Sequence, residues 1–317
     1  MKKIVLILLL IYNCSAQAQQ LSQYSMYMFN NTLHNPAFLG TKKCGELRLG
    51  YRTQWLGYDG HPTDMYASFN YQIKQRRKPY IKARHGIGAY VESDKVGLTK
   101  SNQLMLGYAY HTPLGRNLYI GGGINAGLKQ FSVTSATDLV PDASDPAVAS
   151  GSRFVYPDIS VGVLVYNNKF YAGAALKNTV GNKLKVYGVD ARLTRQLNVM
   201  AGTSFPVGRT GLIIYPSVLL KYAFGSPFAL DVSVLFEPQK KLQFGLAYRG
   251  IKGGDGVTGI VNFHIKPRWS VGYAYDFPIS RLNKGTFQTH ELTMAFKICP
   301  FRDADELIDI RCPAFTN

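Results

Sequence analysis

From Leu242 to Ile298 the chain keeps one beat, in which Leu242, Phe244, Leu246 and Tyr248 alternate with Gln243, Gly245, Ala247 and Arg249. The beat returns in Trp269, Val271, Tyr273 and Tyr275 against Arg268, Ser270, Gly272 and Ala274. It returns again in Leu292, Met294, Phe296 and Ile298 against Thr293, Ala295 and Lys297. A side-chain period of two belongs to a β-strand, whose successive residues point to opposite faces. The second face holds Gly, Ala, Ser, Thr, Gln, Lys and Arg, so the two faces meet different media. That is the pattern of an all-β, transmembrane antiparallel β-barrel, apolar toward lipid and polar toward its lumen.

The amino terminus has the form of an export signal. Lys2 and Lys3 precede an apolar run from Ile4 to Ile11, and Ala16-Gln17-Ala18 offers a small-residue cleavage site, so the mature chain is expected to begin at Gln19. A lipoprotein reading of Cys14 is disfavoured, because Tyr12 and Asn13 stand where small residues belong. Beyond the leader no apolar run approaches the roughly 18 residues that a membrane helix needs. Any crossing is therefore by strands, and the expected address is the outer membrane.

Composition agrees. Charged residues make up 17% and aromatics 13%, with 21 Tyr and 31 Gly, a balance that suits aromatic girdles and close-packed strands. The formal charge is +17, and removal of Lys2 and Lys3 with the leader leaves +15 (17 − 2). Export argues against nucleic acid as the partner of this charge. Anionic outer-membrane lipopolysaccharide or an acidic protein fits better.

Candidate strands lie at about 45–57, 63–74, 85–93, 101–112, 116–132, 154–166, 169–177, 190–205, 210–223, 227–236, 241–249, 256–265, 267–276 and 289–298, which is about 14. The stretch Gln19 to Gly40 has no clean period and ends in an Asn-Pro turn, so it reads as an ordered lead-in. The expected divisions are a signal peptide (1–18), a lead-in (19–44), the barrel (45–298) and a periplasmic tail (299–317). An even strand number puts short turns on the periplasmic side and longer loops outside, notably Val133 to Arg153 and Asp276 to Thr289. Two links break that rule, the short one at Ala223 to Ser226 and the long basic one from Gln75 to Arg84. Pro216 inside a strand demands a bulge or a missing ladder bond.

Three cysteines survive processing. Cys44 precedes the first strand and Cys299 follows the last, so both are expected at the periplasmic rim beside the barrel seam, where disulfides are permitted. Either Cys44 pairs with Cys299 across the seam or Cys299 pairs with Cys312 to close a tail hairpin, leaving one thiol over.

Chemical motifs are scarce. Gly254, Gly256 and Gly259 have dinucleotide-motif spacing but no strand-to-helix context, the six histidines form no ligand pair, and no Gly-x-Ser-x-Gly elbow exists. No catalytic residue, cofactor or metal site is therefore expected. Asp276, His290 and Glu291 flank one external loop and read as rim polar residues rather than acid-base partners. With Leu47, Leu49, Tyr51 and Trp55 toward lipid, Arg48, Arg52 and Gln54 point into the lumen. There the arginines either cradle an anion or a partner's acidic segment, or pair with Asp231 or Asp158 as internal struts. Inward glycines such as Gly121, Gly123 and Gly127 either leave open space or admit a plug.

One resemblance runs along nearly the whole mature chain. Gln23-Tyr24, Met28-Phe29-Asn30, Asn35-Pro36-Ala37 with Gly40, Tyr51-Arg52-Thr53-Gln54-Trp55, Pro62-Thr63, Tyr108-Ala109-Tyr110-His111, Tyr215-Pro216-Ser217, Ala247-Tyr248-Arg249, Gly272-Tyr273-Ala274-Tyr275-Asp276 and His290-Glu291 resemble, in that order, the PorP/SprF family of Bacteroidetes outer-membrane proteins. The resemblance implies a role in the type IX secretion system and gliding motility, and a Pro at position 216 is common in that family. SprF-like members support secretion or cell-surface attachment of a secreted adhesin through its C-terminal domain. PorP-like members are components of the secretion machinery linked to the periplasm. The basic 75–84 link and the tail from Pro300 to Asn317 are longer than the family pattern. The leading expectation is thus a non-enzymatic barrel that binds an adhesin's C-terminal domain. The alternatives are a porin-like or hydrophobic-solute transport barrel, and a structural secretion component.

Overall fold

The computed structural model describes residues 23–57, 59–73, 83–115, 117–133, 152–181, 183–186, 189–208, 211–239, 241–250, 256–266, 268–279 and 288–299. The leader, most of the 75–84 link, the 134–151 loop, the 280–287 loop, Cys312 and the tail after Cys299 lie outside them, as do the expectations attached to those segments.

Fifteen strands form one antiparallel sheet. In chain order these are β1 (Gly45–Leu56), β2 (Thr63–Ile73), β3 (Arg84–Val96), β4 (Thr99–Pro113), β5 (Tyr119–Val133), β6 (Ser152–Tyr166) and β7 (Phe170–Lys177). After a separate hairpin of β8 (Lys183–Val186) and β9 (Val189–Arg192) follow β10 (Gln196–Thr203), β11 (Phe205–Val207), β12 (Leu212–Ala223), β13 (Ala229–Gln239), β14 (Leu242–Gly250), β15 (Gly256–Lys266), β16 (Trp269–Pro278) and β17 (Gln288–Ile298). The sheet closes twice over: β1 pairs with β17 from Gly45 opposite Ile298, and β10 pairs with β12 from Gln196 opposite Ala223. Since β10 and β11 lie end to end along β12, the wall is a closed antiparallel barrel of 14 strands.

The distribution of side chains inverts that of a soluble protein. Leu106 is 63% exposed and Leu246 60%, whereas Arg52 is 2% exposed and Lys221 1%. Exposed Leu47, Leu49 and Tyr51 alternate along β1 with buried Glu46, Arg48 and Arg52. Water on the outer wall would make this continuous apolar surface an aggregation liability. Lipid makes it the favourable face, and ring closure leaves no unpaired strand edge in the hydrocarbon.

Three departures from the sequence reading have local causes. The expected strand 190–205 divides, because Val189–Arg192 pairs with Lys183–Val186 in its own hairpin and the wall strand starts at Gln196. Toward lipid, Trp55 was expected to continue the alternation of β1, but the register slips between Thr53 and Leu56. Trp55 takes φ 55° and is half-buried, and Leu56 is exposed instead. Finally, β3 and β4 extend to Val96 and Thr99, which leaves a tight turn at Gly97-Leu98 on the loop side. Pro216 produces a missing bond. The pairing with β12 lapses between Gly202, opposite Ser217, and Phe205, opposite Ile214, a gap that spans Tyr215 and Pro216, whose ring has no N–H to donate. The Ser204 amide, on the side away from β12, donates to Lys169 O at 2.8 Å.

Both ends of the barrel lie at one rim, where the disulfide Cys44–Cys299 joins the segments flanking β1 and β17. The links on this rim are 114–118, 167–169, 208–211, 240–241 and 267–268, with 74–83 the long exception. The opposite rim carries 134–151, 178–195 and 279–287 along with four shorter links. Short turns mark the periplasmic side of a bacterial barrel, so the seam rim faces the periplasm. Leu106 occupies the midpoint of β4. Leu106→Arg is expected to destabilise the bilayer-inserted protein by roughly 2–4 kcal/mol, measured by denaturant titration in vesicles, where an exposed Leu of a water-soluble wall would tolerate the change.

Candidate functional site: a filled lumen

The segment from Tyr24 to Thr41 lies inside the barrel, buried throughout except for half-buried Thr32. It is built from a 3-10 turn (Tyr27–Phe29), one α turn (Asn31–His34) and a second 3-10 turn (Pro36–Phe38). Single turns do not hold themselves. Asn35 helps locally, accepting the Ala37 amide at 2.9 Å ahead of Pro36, but most of the order comes from the wall.

Wall side chains bind the lead-in's backbone along its length. The Gly40 amide donates to Asn70 Oδ1 at 2.8 Å, and Leu39 O lies 2.8 Å from His111 Nε2. Lys177 Nζ donates to Leu33 O at 3.1 Å and Asn198 Nδ2 to His34 O at 3.0 Å. Asn35 Nδ2 reaches the wall carbonyls of Val163 and Ala174 at 3.0 and 3.3 Å. Tyr27 sends its hydroxyl to Ser217 O at 3.0 Å and lies 3.1 Å from Ser233 Oγ. Met26, Tyr27, Met28, Phe29, Ala37 and Phe38 pack with inward Leu164, Met200, Leu219, Leu235 and Ile260 into one apolar core.

Glycine makes the approach possible. A Cβ on Gly86 would stand 2.1 Å from Leu39 O, one on Gly123 2.4 Å from the Pro36 carbonyl carbon, and one on Gly162 2.1 Å from Asn35 Oδ1. Of the inward glycines singled out in the sequence, Gly123 backs the lead-in, Gly121 admits the His111 ring, and Gly127 abuts Leu104 O and Met105.

A charged cluster holds the far end of the segment. Arg52 lies 2.9 Å from Asp276, 3.8 Å from Glu291 and 3.9 Å from Asp64, and donates to the Gln23 carbonyl. Arg249 lies 3.4 Å from Asp276 and 3.2 Å from Asp231, which also pairs with Lys221 at 2.9 Å. Into this cluster Ser25 donates its amide to Glu291 at 2.5 Å and its hydroxyl to Asp276 at 2.8 Å, and the Met26 amide reaches Glu291 at 3.3 Å. The acids are spread over β2, β13, β16 and β17, so no local pattern reveals them as one group.

Arg48, Arg52 and Gln54 thus all have partners within the chain. Arg48 pairs with Glu46 at 3.2 Å and stacks over Phe29 at 5.6 Å, and Gln54 donates to Asp64 at 3.0 Å. The struts use Glu46, Asp64, Asp276 and Glu291, rather than the Asp231 or Asp158 that the sequence offered. Asp276 and Glu291 face the lumen while His290 lies outside against Tyr273 and Tyr275, so these three do not converge. Ser25, Tyr27 and Asn35, central to the lumen, carry no periodic signal in the sequence.

The family model for the type IX secretion system membrane protein PorP/SprF matches residues 16–296. The chain belongs to the PorP/SprF family. It is an outer-membrane β-barrel of the type IX secretion system, and the family resemblance in its lead-in falls on the residues that fill the lumen. A comparison with curated protein sequences finds no match. Among solved structures the chain is similar to the Ralstonia pickettii toluene transporter TbuX, with 13% identity, TM-score 0.53, and 84% of this chain and 92% of that one covered. It is also similar to a mutant of the monoaromatic hydrocarbon channel TodX (12%, 0.50, 84% and 93%) and to the Acinetobacter baumannii outer membrane protein Omp33 (10%, 0.48, 82% and 100%). At these identities the likeness is one of fold alone.

In this PorP/SprF protein, Gly86→Val and Gly123→Val are expected to push the lead-in from the wall. Limited proteolysis should then cut it, while Gly122→Val, whose Cβ would meet nothing within 4 Å, leaves it protected. Arg52→Met strands buried carboxylates and is expected to cost about 3–5 kcal/mol in a denaturant titration.

Proposed function

We propose that this PorP/SprF barrel is a non-enzymatic partner scaffold, which supports secretion or surface anchoring of an adhesin by holding the adhesin's C-terminal domain at its outer rim. The observation that carries this reading is the filled lumen. A cylinder whose interior is packed by its own lead-in is a rigid platform rather than a passage, so its outer links are what a partner can meet. Cations on those same outer links, among them Lys252, Arg281 and Lys284, would steer an acidic partner. The secretion-system family supports the general role, and other components of that system are its natural partners. The absence of convergent catalytic groups among the described residues is compatible with scaffolding, and gliding motility is the process in which a surface adhesin of this kind would act.

The transport reading, for which toluene and monoaromatic hydrocarbons are named in its structural neighbours, would require the lead-in to shift. The periplasmic-link reading would rest on the 74–83 link and the tail. Copurification on a tagged barrel from intact envelopes separates these. Recovery of a large secreted protein is expected, and recovery of the barrel alone counts against the scaffold. In planar bilayers the wild-type protein is expected to be silent, and a steady conductance would favour transport.

A further inference from the structure

The charge of the links between wall strands is sorted between the two rims. All six links on the seam rim (74–83, 114–118, 167–169, 208–211, 240–241 and 267–268) contain Lys or Arg, and none contains Asp or Glu. In sequence, the links that join strands ending at the opposite rim include acids, Asp59, Asp138, Asp142, Asp145, Asp190 and Asp255. Among the described residues of the seam rim, Lys43, Lys169, Lys241, Lys266 and Arg268 are exposed, and no Asp or Glu is. Its two carboxylates there, Glu46 and Glu237, are buried.

Aromatic rings fix the height of these cations. On the lipid-facing wall Trp269 packs against Phe296 with ring centroids 4.6 Å apart, and Phe244 stacks on Phe236 at 5.8 Å. Phe263 on β15 and Phe170 on β7 are exposed as well. Such a belt sits where hydrocarbon gives way to headgroups. Each cation stands one to three residues beyond it: Arg268 next to Trp269, Lys169 next to Phe170, Lys266 three residues past Phe263, and Lys241 three before Phe244. That is the level of the lipid phosphates. Lys241, Lys266 and Arg268 moreover occupy neighbouring turns, since His264 N bonds Lys241 O at 2.8 Å and Lys266 pairs with Trp269.

From this juxtaposition we propose that the seam rim binds the phosphate groups of anionic phospholipid in the periplasmic leaflet, with Lys241, Lys266 and Arg268 as the central contacts. The basic charge of the chain then serves the leaflet opposite the one that carries lipopolysaccharide. The inference stands apart from the scaffold reading, because it concerns the wall's lipid contacts and not the outer rim. An ammonium or guanidinium at headgroup depth attracts phosphate and is screened by salt. Because the belt already sets the depth, the electrostatic contact adds selectivity for charge.

The test is lipid retention by native mass spectrometry of the full-length mature protein, released from detergent carrying phosphatidylglycerol or phosphatidylethanolamine. Wild type is expected to retain phosphatidylglycerol in preference, with retention falling as salt rises. The variant K241Q/K266Q/R268Q is expected to lose at least ten-fold of the phosphatidylglycerol retention and none of the phosphatidylethanolamine retention. The variant K95Q/K100Q/R153Q, equal in charge change but on the other rim, is expected to keep both. Equal loss in the two variants overturns the proposal. So does undiminished retention in the first, as would follow if the acidic run Asp303, Asp305, Glu306 and Asp309 of the same chain neutralised the row. Heat-modified gel mobility identical to wild type establishes that each variant is folded.

Discussion

Every backbone N–H and C=O that meets hydrocarbon must find its partner within the chain, because lipid offers none and each orphan costs several kcal/mol. That single requirement forces the ladder to close. From closure with every neighbouring pair antiparallel follow the even number of wall strands, the return of both ends to one rim, and the strict assignment of alternate residues to lipid or lumen. At Pro216, one of several prolines within wall strands, the ladder lapses. The donor that Pro216 lacks falls in the gap between the pairs Gly202–Ser217 and Phe205–Ile214, and the Ser204 amide beside that gap is satisfied by Lys169 O.

Once the wall is closed, the interior becomes a second folding problem. The inner face holds Arg48, Arg52, Lys221, Asp64, Asp231 and Glu291, all buried. Such charges are tolerable only when paired and hydrogen-bonded. The lead-in meets that need and has the same need met in return. Ser25 and Met26 supply donors to acids in excess, and His111, Lys177 and Asn198 serve carbonyls that no helix or sheet of the lead-in uses. Apolar Met26, Phe29 and Phe38 fill the remaining space. Wall and lead-in are one core, and the glycines are the places where the two come closest.

The sequence discloses the wall far better than its contents. A period of two survives because lipid is a uniform solvent that selects each outward residue in the same way. Leu47, Leu49 and Tyr51 are legible for that reason, and so are Arg48 and Arg52 on the inner face. What Arg52 touches was not legible. Its acids come from β2, β16 and β17, brought together only by ring closure over a separation of more than two hundred residues. The lead-in hid its position for a related cause. A segment surrounded by wall on every side has no solvent face, so nothing imposes a period on it. Trp55 and the β8–β9 hairpin escaped at the rim, where neither lipid nor lumen dictates the pattern.

The lead-in runs lengthwise. Gly40 sits beside Asn70 and Gly86 near the seam rim, while Ser25 sits beside Asp276 and Glu291 toward the other mouth. It is covalently continuous with β1, which is itself one of the two strands that make the final closure. A cylinder finished first would leave the segment to be threaded through a gap already occupied by side chains. The barrel must instead curl around its own first residues, like a stave cask assembled over its contents. Cys44 and Cys299, 255 residues apart, meet only when the last stave is in place. Their bond is a chemical record that assembly has run to completion.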